Sequence, residues 1–193
     1  MKWAATEKVK GVRDYTKGDQ IRAKFDSWNI PLSGNTLLWE VDHKATPQWY
    51  KNEIYSLIDA GEDTEPLSEH VLFHVKERFS LNSGSGSPSQ GRPILGPGIS
   101  GMFTYTQDTV QHYKGKNTNY KLINEPTHGD DFRSNYKDIW NRVLNLARET
   151  DPNAKLGIND YDIARSDMGQ CLLDLVDGYE IDWLGVQSQV FTE

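Results

Sequence analysis

The chain has 193 residues, of which 36% are hydrophobic, and its six Trp and nine Tyr supply enough apolar surface for one globular domain. The formal net charge of -7, with Lys and Arg scattered along the chain, argues against a nucleic-acid or membrane-surface partner. No apolar run approaches the roughly 18 residues of a membrane span, and we expect no signal peptide in this chain.

The first sixty residues predict two helices and one strand. Apolar residues recur at steps of four and three over 19–28, which predicts a short helix that Pro31 ends. The apolar run 37–39 follows a Ser-Gly-Asn turn and predicts a buried strand. Residues 47–60 predict a second helix, because Pro47 suits a first helical position and a glycine follows the end.

Residues 82–101 have a different composition from the rest of the chain. They contain six Gly, five Ser and three Pro, and Arg92 is their only charge. Such a segment is poorly suited to packing a core, and a structureless stretch of this length is uncommon inside a compact domain. An insertion, a linker and a fault in the assembled sequence all remain open as explanations.

The last third of the chain alternates strands with helices. The predicted elements are strand 120–124, a helix from Phe132 with Asp131 as its cap, strand 154–158, a helix between Ser166 and Gly178, and strand 181–186. This alternation predicts an α/β fold of βαβ units with a parallel sheet. Pro126 predicts that Glu125 is extended, at the carboxyl end of its strand.

Polar and aromatic residues collect where the predicted strands end. They are Trp39 with Glu40, Asn124 with Glu125, Asn159 with Asp160 and Tyr161, and Gln187 with Gln189. In a (β/α)8 TIM barrel the carboxyl ends of the strands converge on one mouth, where active sites lie. Sugars need aromatic rings to stack on and amides or carboxylates to bind their hydroxyls, so these residues predict a sugar site.

Glu125 is the candidate acid of this site. Glycoside cleavage needs one carboxylic acid to protonate the leaving oxygen and a second carboxylate to attack or to activate water. Asn124 could bind a sugar hydroxyl beside the scissile bond. The alternative interpretation of Glu125 is a solvated structural charge.

Metal and cofactor chemistry find no support in the sequence. The histidines are His43, His70, His74, His112 and His128. His70 and His74 have the i, i+4 spacing of a metalloprotease motif but lack its glutamate, so we interpret these two histidines as exposed helix residues. No glycine-rich phosphate loop follows a strand, and the single cysteine, Cys171, is expected to be a small buried apolar residue. We therefore expect no metal and no cofactor.

Several segments resemble glycoside hydrolase family 10, the xylanases, in the family's order. They are residues 33–39 (SGNTLLW), 113–125 (YKGKNTNYKLINE), 151–161 (DPNAKLGINDY) and 182–188 (DWLGVQS). The resemblance implies an incomplete (β/α)8 barrel that runs from the end of strand 2 to strand 6. The whole chain, 1–193, would then be one partial catalytic domain with the insert at about 82–101.

The resemblance also implies a function. It predicts hydrolysis of internal β-1,4-xylosidic bonds in xylan by a retaining mechanism, with Glu125 as the acid/base residue and secretion as the expected location. The substrate-binding residues that it implies are Lys2, Asn35, Trp39, Asn124, Tyr161, Gln187 and Gln189.

The chain also departs from the family pattern. Asn35, Glu40 and Gln189 stand where the family has histidines, and Tyr120 and Lys121 replace a Trp-Asp pair. The resemblance places the nucleophile on strand seven, which we expect to lie outside this chain, so the fragment itself should be inactive. The alternative is a non-catalytic relative that binds glycans.

Overall fold

The computed structural model describes residues 2–39, 43–59, 97–116, 119–126, 137–161, 169–170, 172–173, 176–177 and 181–187. The elements with defined bounds are α1 (Trp3–Thr6), α2 (Thr16–Ser27), β1 (Gly34–Leu38), α3 (Gln48–Asp59), α4 (Pro97–Tyr113), β2 (Asn119–Asn124), α5 (Lys137–Thr150), β3 (Lys155–Asp160) and β4 (Trp183–Val186). Helical residues also occur at 169–170, 172–173 and 176, within the helix predicted between Ser166 and Gly178.

The four strands form one parallel sheet in the order β1-β2-β3-β4, as the alternation of strands and helices predicts. The paired positions Asn35, Lys121, Gly157 and Trp183 run across the sheet from β1 to β4. Neighbouring residues in register point to the same face of a sheet. The register shifts within β1 and within β2, so strict alternation fails in both strands.

The helices pack on the sheet through one continuous core. Helix α5 buries Trp140, Val143, Leu144 and Ala147 on one stripe, and Trp140 is 0% exposed. The steps of three, one and three between these residues match the helical period. The strands bury Leu122, Ile123, Leu156 and Ile158 in the same core. Burial of side chains of this size stabilises the fold by roughly 1.5–3 kcal/mol each.

Helix α4 begins inside the Gly/Ser/Pro-rich segment. Its first five residues are 97–101, and a Cβ added at Gly101 would lie 3.1 Å from the Trp49 ring and 3.2 Å from Tyr50. A glycine therefore lets α4 approach α3 closely, a role that composition alone does not indicate. Residues 82–96 lie outside the described residues, so the insert stays a prediction.

The backbone at Glu125 differs from the prediction. Its φ is +54°, in the left-handed region, so the extended conformation expected from Pro126 is wrong. The Glu125 N–H donates to the Asn159 carbonyl at 2.8 Å, which continues the β2–β3 pairing as the chain turns. A non-glycine residue in this region is strained and persists only where the surroundings hold it, which is frequent at functional sites.

Some predicted features lie outside the described residues. They are Glu40, His70, His74, His128, Asp131, Phe132, Ser166, Cys171, Gly178 and Gln189.

Candidate active site

Four predicted site residues directly follow the four strands. Trp39 follows β1, Glu125 follows β2, Tyr161 follows β3 and Gln187 follows β4. Because the strands are parallel and adjacent, these residues lie along one edge of the sheet. This edge is the carboxyl end of the strands, where barrel enzymes place their active sites.

A cavity of about 260 Å³ opens at this edge. Its lining residues are Lys2, Asn35, Thr36, Trp39, Lys121, Asn124, Glu125 and Gln187. Six of the eight predicted site residues are therefore brought together. Tyr161 is half-buried at the end of β3 and is not among the lining residues, and Gln189 lies outside the described residues.

The Glu125 carboxylate is held by the strand two positions away in the sheet. The Gln187 Nε2 donates to Glu125 Oε1 at 2.8 Å, and the Gln187 N–H donates to the Asp160 carbonyl at 2.8 Å. The glutamate side chain thus reaches across the end of β3 to a glutamine whose own backbone is fixed. This arrangement limits the directions that the carboxylate can take within the cavity.

The Trp39 ring contacts a lysine ammonium group and a histidine ring. The Lys2 Nζ lies 5.1 Å from the Trp39 ring centroid, within the range of a cation–π contact. The His43 ring stacks on Trp39 at 3.6 Å between centroids, with 16° between the planes. His43 lies in the loop before α3 and is half-buried. Burial and the neighbouring Lys2 lower the pKa of His43, which favours the neutral imidazole at pH 7.

The amides on the cavity floor are arranged by Thr36. The Thr36 hydroxyl donates to Asn35 Oδ1 at 2.6 Å and lies 3.5 Å from Asn124 Oδ1. Asn124 is only 5% exposed, and its buried Nδ2 has no hydrogen-bond partner within the described part of the chain. A buried amide N–H without a partner is costly, and a ligand oxygen would satisfy it.

Lys121 is a cavity residue that the sequence marks only as a departure from a family pattern. It is half-buried, and burial lowers its pKa, an effect that the nearby Glu125 opposes. Lys121 pairs in register with Asn35 on β1, which also lines the cavity. Thr36 and His43 were likewise not predicted as site residues.

The described ranges contain no cluster of three or more His, Cys, Asp or Glu side chains that could hold a metal ion. Across the same ranges, every helix is too short or too polar to span a bilayer.

The parallel strands with intervening helices are typical of a barrel protein. The site at their carboxyl ends combines a carboxylate, amides and an aromatic ring. This combination is typical of the glycoside hydrolase class. The model of the family described as "Glycosyl hydrolase family 10" matches residues 1–84 and 98–193. The chain belongs to glycosyl hydrolase family 10, and the resemblance and the barrel fold inferred from its sequence are confirmed.

The chain is also similar to individual proteins. The chain is 26% identical over 162 residues to an endo-1,4-beta-xylanase 5-like protein of Arabidopsis thaliana, covering 83% of the chain and 21% of that protein. It is 27% identical over 193 residues to the anti-sigma-I factor RsgI6 of Acetivibrio thermocellus, covering 97% of the chain and 20% of that protein. The chain therefore spans about a fifth of the length of these relatives.

The fold is also that of a xylanase of known structure. The crystal structure of xylanase 10B from Thermotoga petrophila RKU-1 in complex with xylobiose matches with a TM-score of 0.62 and 20% identity. The match covers 97% of this chain and 49% of that one. At this identity, the likeness supports the fold.

Proposed function

We propose that residues 1–193 form part of the catalytic barrel of an endo-1,4-β-xylanase, with an insert at about residues 82–101 whose last residues, 97–101, begin α4. The observation that carries the proposal is the position of Glu125. Its carboxylate lines the cavity at the carboxyl ends of the strands, shares that cavity with Trp39, and is oriented by the 2.8 Å hydrogen bond from Gln187. The family membership supports the same substrate class, a β-linked polysaccharide such as xylan. Secretion, which would bring the protein to this substrate, is part of the proposal.

The residues take different roles in a retaining mechanism. Glu125 protonates the leaving oxygen, and after a second carboxylate has attacked the anomeric carbon, Glu125 removes a proton from water. Asn124 donates its unpaired Nδ2–H to a sugar hydroxyl, and Trp39 offers a ring for stacking. The other proposed substrate-binding residues are Lys2, Asn35, Tyr161, Gln187 and Gln189.

The second carboxylate must lie about 5–5.5 Å from the first in a retaining enzyme. Glu125 is the only carboxylate among the residues that line the cavity in the described part of the chain. We propose that the partner carboxylate lies on a further strand of the barrel, as the family resemblance implies, and that residues 1–193 bind the polysaccharide but do not cleave it without that carboxylate.

Measurements on residues 1–193 and on a longer form of the protein test these proposals. Residues 1–193 should be retarded in a gel that contains xylan and should release no reducing sugar. A longer form that restores hydrolysis should give products of retained configuration by NMR. In that form Glu125→Gln should reduce the rate by at least about 100-fold, because general acid catalysis supplies that much.

A matched control is Glu149→Gln, which removes an exposed carboxylate on α5. It should leave both retardation and rate unchanged. Full activity in the Glu125→Gln form would refute the assignment of the acid/base residue, and hydrolysis by residues 1–193 alone would refute the need for a second carboxylate from elsewhere.

A non-catalytic glycan-binding function is the second candidate. It is favoured by Lys121, which brings a second ammonium group to the cavity, and by the likeness to an anti-sigma-I factor. In that case the longer form would also be retarded in the xylan gel and would release no sugar.

A further inference from the structure

The cavity that contains Glu125 has an excess of positive charge in its described lining. Lys2 and Lys121 contribute two ammonium groups, and Glu125 contributes one carboxylate. The chain as a whole carries a formal charge of -7, so this local balance is opposite in sign to that of the protein. In the described lining, which holds no second carboxylate, this balance favours an anionic group on the bound sugar.

Lys121 is held in the cavity by the sheet. In register it lies between Asn35 on β1 and Gly157 on β3, and Asn35 also lines the cavity. The Gly157 position is closed to any side chain, since a Cβ there would come within 2.3 Å of the Trp183 ring. The lysine stem is thus half-buried in the strand that leads to Glu125, and its position is set by backbone pairing rather than by a flexible loop.

The Lys121 ammonium lacks a close partner. Among the described residues it makes no hydrogen bond and no ion pair within 4 Å, and Glu125 acts on it only at longer range. The Glu125 carboxylate already accepts a hydrogen bond from Gln187. Burial lowers the Lys121 pKa, and the charge of Glu125 offsets this only in part.

Other unsatisfied donors share the same cavity. The buried Asn124 Nδ2 has no partner within the described ranges, and the Lys2 Nζ is exposed over the Trp39 ring. Two lysines and this asparagine therefore line one cavity of about 260 Å³. Carboxylate oxygens accept hydrogen bonds from charged donors more strongly than hydroxyl oxygens do.

We propose that this cavity selects a saccharide that carries a carboxylate, such as a uronic acid, over its neutral counterpart, and that Lys121 is the residue responsible. The proposal rests on the sugar site described under Proposed function. It goes further by naming the charged substituent that the site prefers and the side chain that recognises it.

The test compares two ligands on residues 1–193 by calorimetry at low salt. One is a neutral xylo-oligosaccharide, and the other is the same oligosaccharide with one uronic acid. The acidic ligand should bind roughly five- to tenfold more tightly, as expected for a charge-assisted contact that is partly screened by solvent. The preference should shrink as salt is added.

Lys121→Gln should abolish the preference, measured as the ratio of the acidic-ligand affinity to the neutral-ligand affinity of the same variant. Lys114→Gln, which removes an exposed lysine outside the cavity lining, should keep the preference. Circular dichroism spectra of both variants should match the unmodified chain, which verifies that folding is intact.

The outcomes separate the two proposals. Equal binding of both ligands overturns the anionic preference and leaves the sugar site standing. A preference that survives in Lys121→Gln also overturns it, because the charge would then act from elsewhere. If neither ligand binds, the sugar site itself fails, and the preference fails with it.

Discussion

The Asp182 side chain links the start of β4 to α5 and β3. Its removal should therefore lower the free energy of unfolding in a pH-dependent way. Its carboxylate accepts from Arg148 Nη2 at 2.5 Å, from the Leu156 N–H at 2.8 Å and from Lys155 Nζ at 3.3 Å. Its own backbone N–H donates to the Leu156 carbonyl at 2.8 Å. One side chain therefore links α5, β3 and the start of β4, the strand that Gln187 of the cavity directly follows.

The pKa of Asp182 gives the size and the sign of this contribution. Burial acts to raise the pKa, but the hydrogen bonds from Arg148, Leu156 and Lys155 outweigh it and lower the pKa from 3.8 to about 2. A carboxyl with a depressed folded pKa stabilises the fold above its unfolded pKa and loses that contribution as the pH falls through the folded value. The window here runs from about pH 4 down to about pH 2.

The shift corresponds to about 2 kcal/mol at neutral pH. Because the Asp182 side chain is 21% exposed, screening by water reduces this to about 1–2 kcal/mol. We expect Asp182→Asn to lower the free energy of unfolding by that amount at pH 7. At pH 2 most of the difference from the unmodified chain should be lost, because the carboxyl is then about half protonated in the folded chain and almost fully protonated in the unfolded chain.

Urea unfolding followed by circular dichroism at pH 7, 4 and 2 measures the effect. The control is Asp26→Asn, which removes an exposed i, i+4 pair with Arg22 and should cost less than about 0.5 kcal/mol. An equal loss of stability at pH 7 and pH 2 for Asp182→Asn would refute the electrostatic reasoning and indicate a purely steric effect.

Three further substitutions test the fold and the site. Gly157→Ala should destabilise the chain by about 1–3 kcal/mol in urea unfolding, because its Cβ would overlap the Trp183 ring at 2.3 Å; an unchanged midpoint would contradict this packing. Trp39→Ala should weaken retardation in a xylan gel by about tenfold with an unaltered circular dichroism spectrum, and undiminished retardation would exclude Trp39 from the sugar-binding site. Glu7→Gln should cost about 3 kcal/mol, because Glu7 is 1% exposed and pairs with Arg13; a melting temperature equal to that of the unmodified chain would count against this buried pair.

The sequence by itself determined the parallel sheet and the edge at which polar residues collect. Apolar runs at 120–124 and 181–186 are local signals, and strands that alternate with helices can hardly pair in any other way than parallel. Parallel pairing then forces residues after each strand, such as Glu125 and Gln187, onto one edge. The sequence did not predict helix α4, because residues 97–101 contain two glycines. The contact of Gly101 with Trp49 depends on the tertiary fold.

Only the tertiary structure decided which side chains share the cavity. Strict alternation along β2 would put Lys121 and Asn124, three residues apart, on opposite faces. The register shift between Lys121 and Ile123 changes this, and both residues line the cavity. The positive φ of Glu125 and the stacking of His43 on Trp39 likewise depend on pairing partners distant in the sequence. Local patterns specify strands and their ends, whereas side-chain direction near a bulge is set by the neighbouring strand.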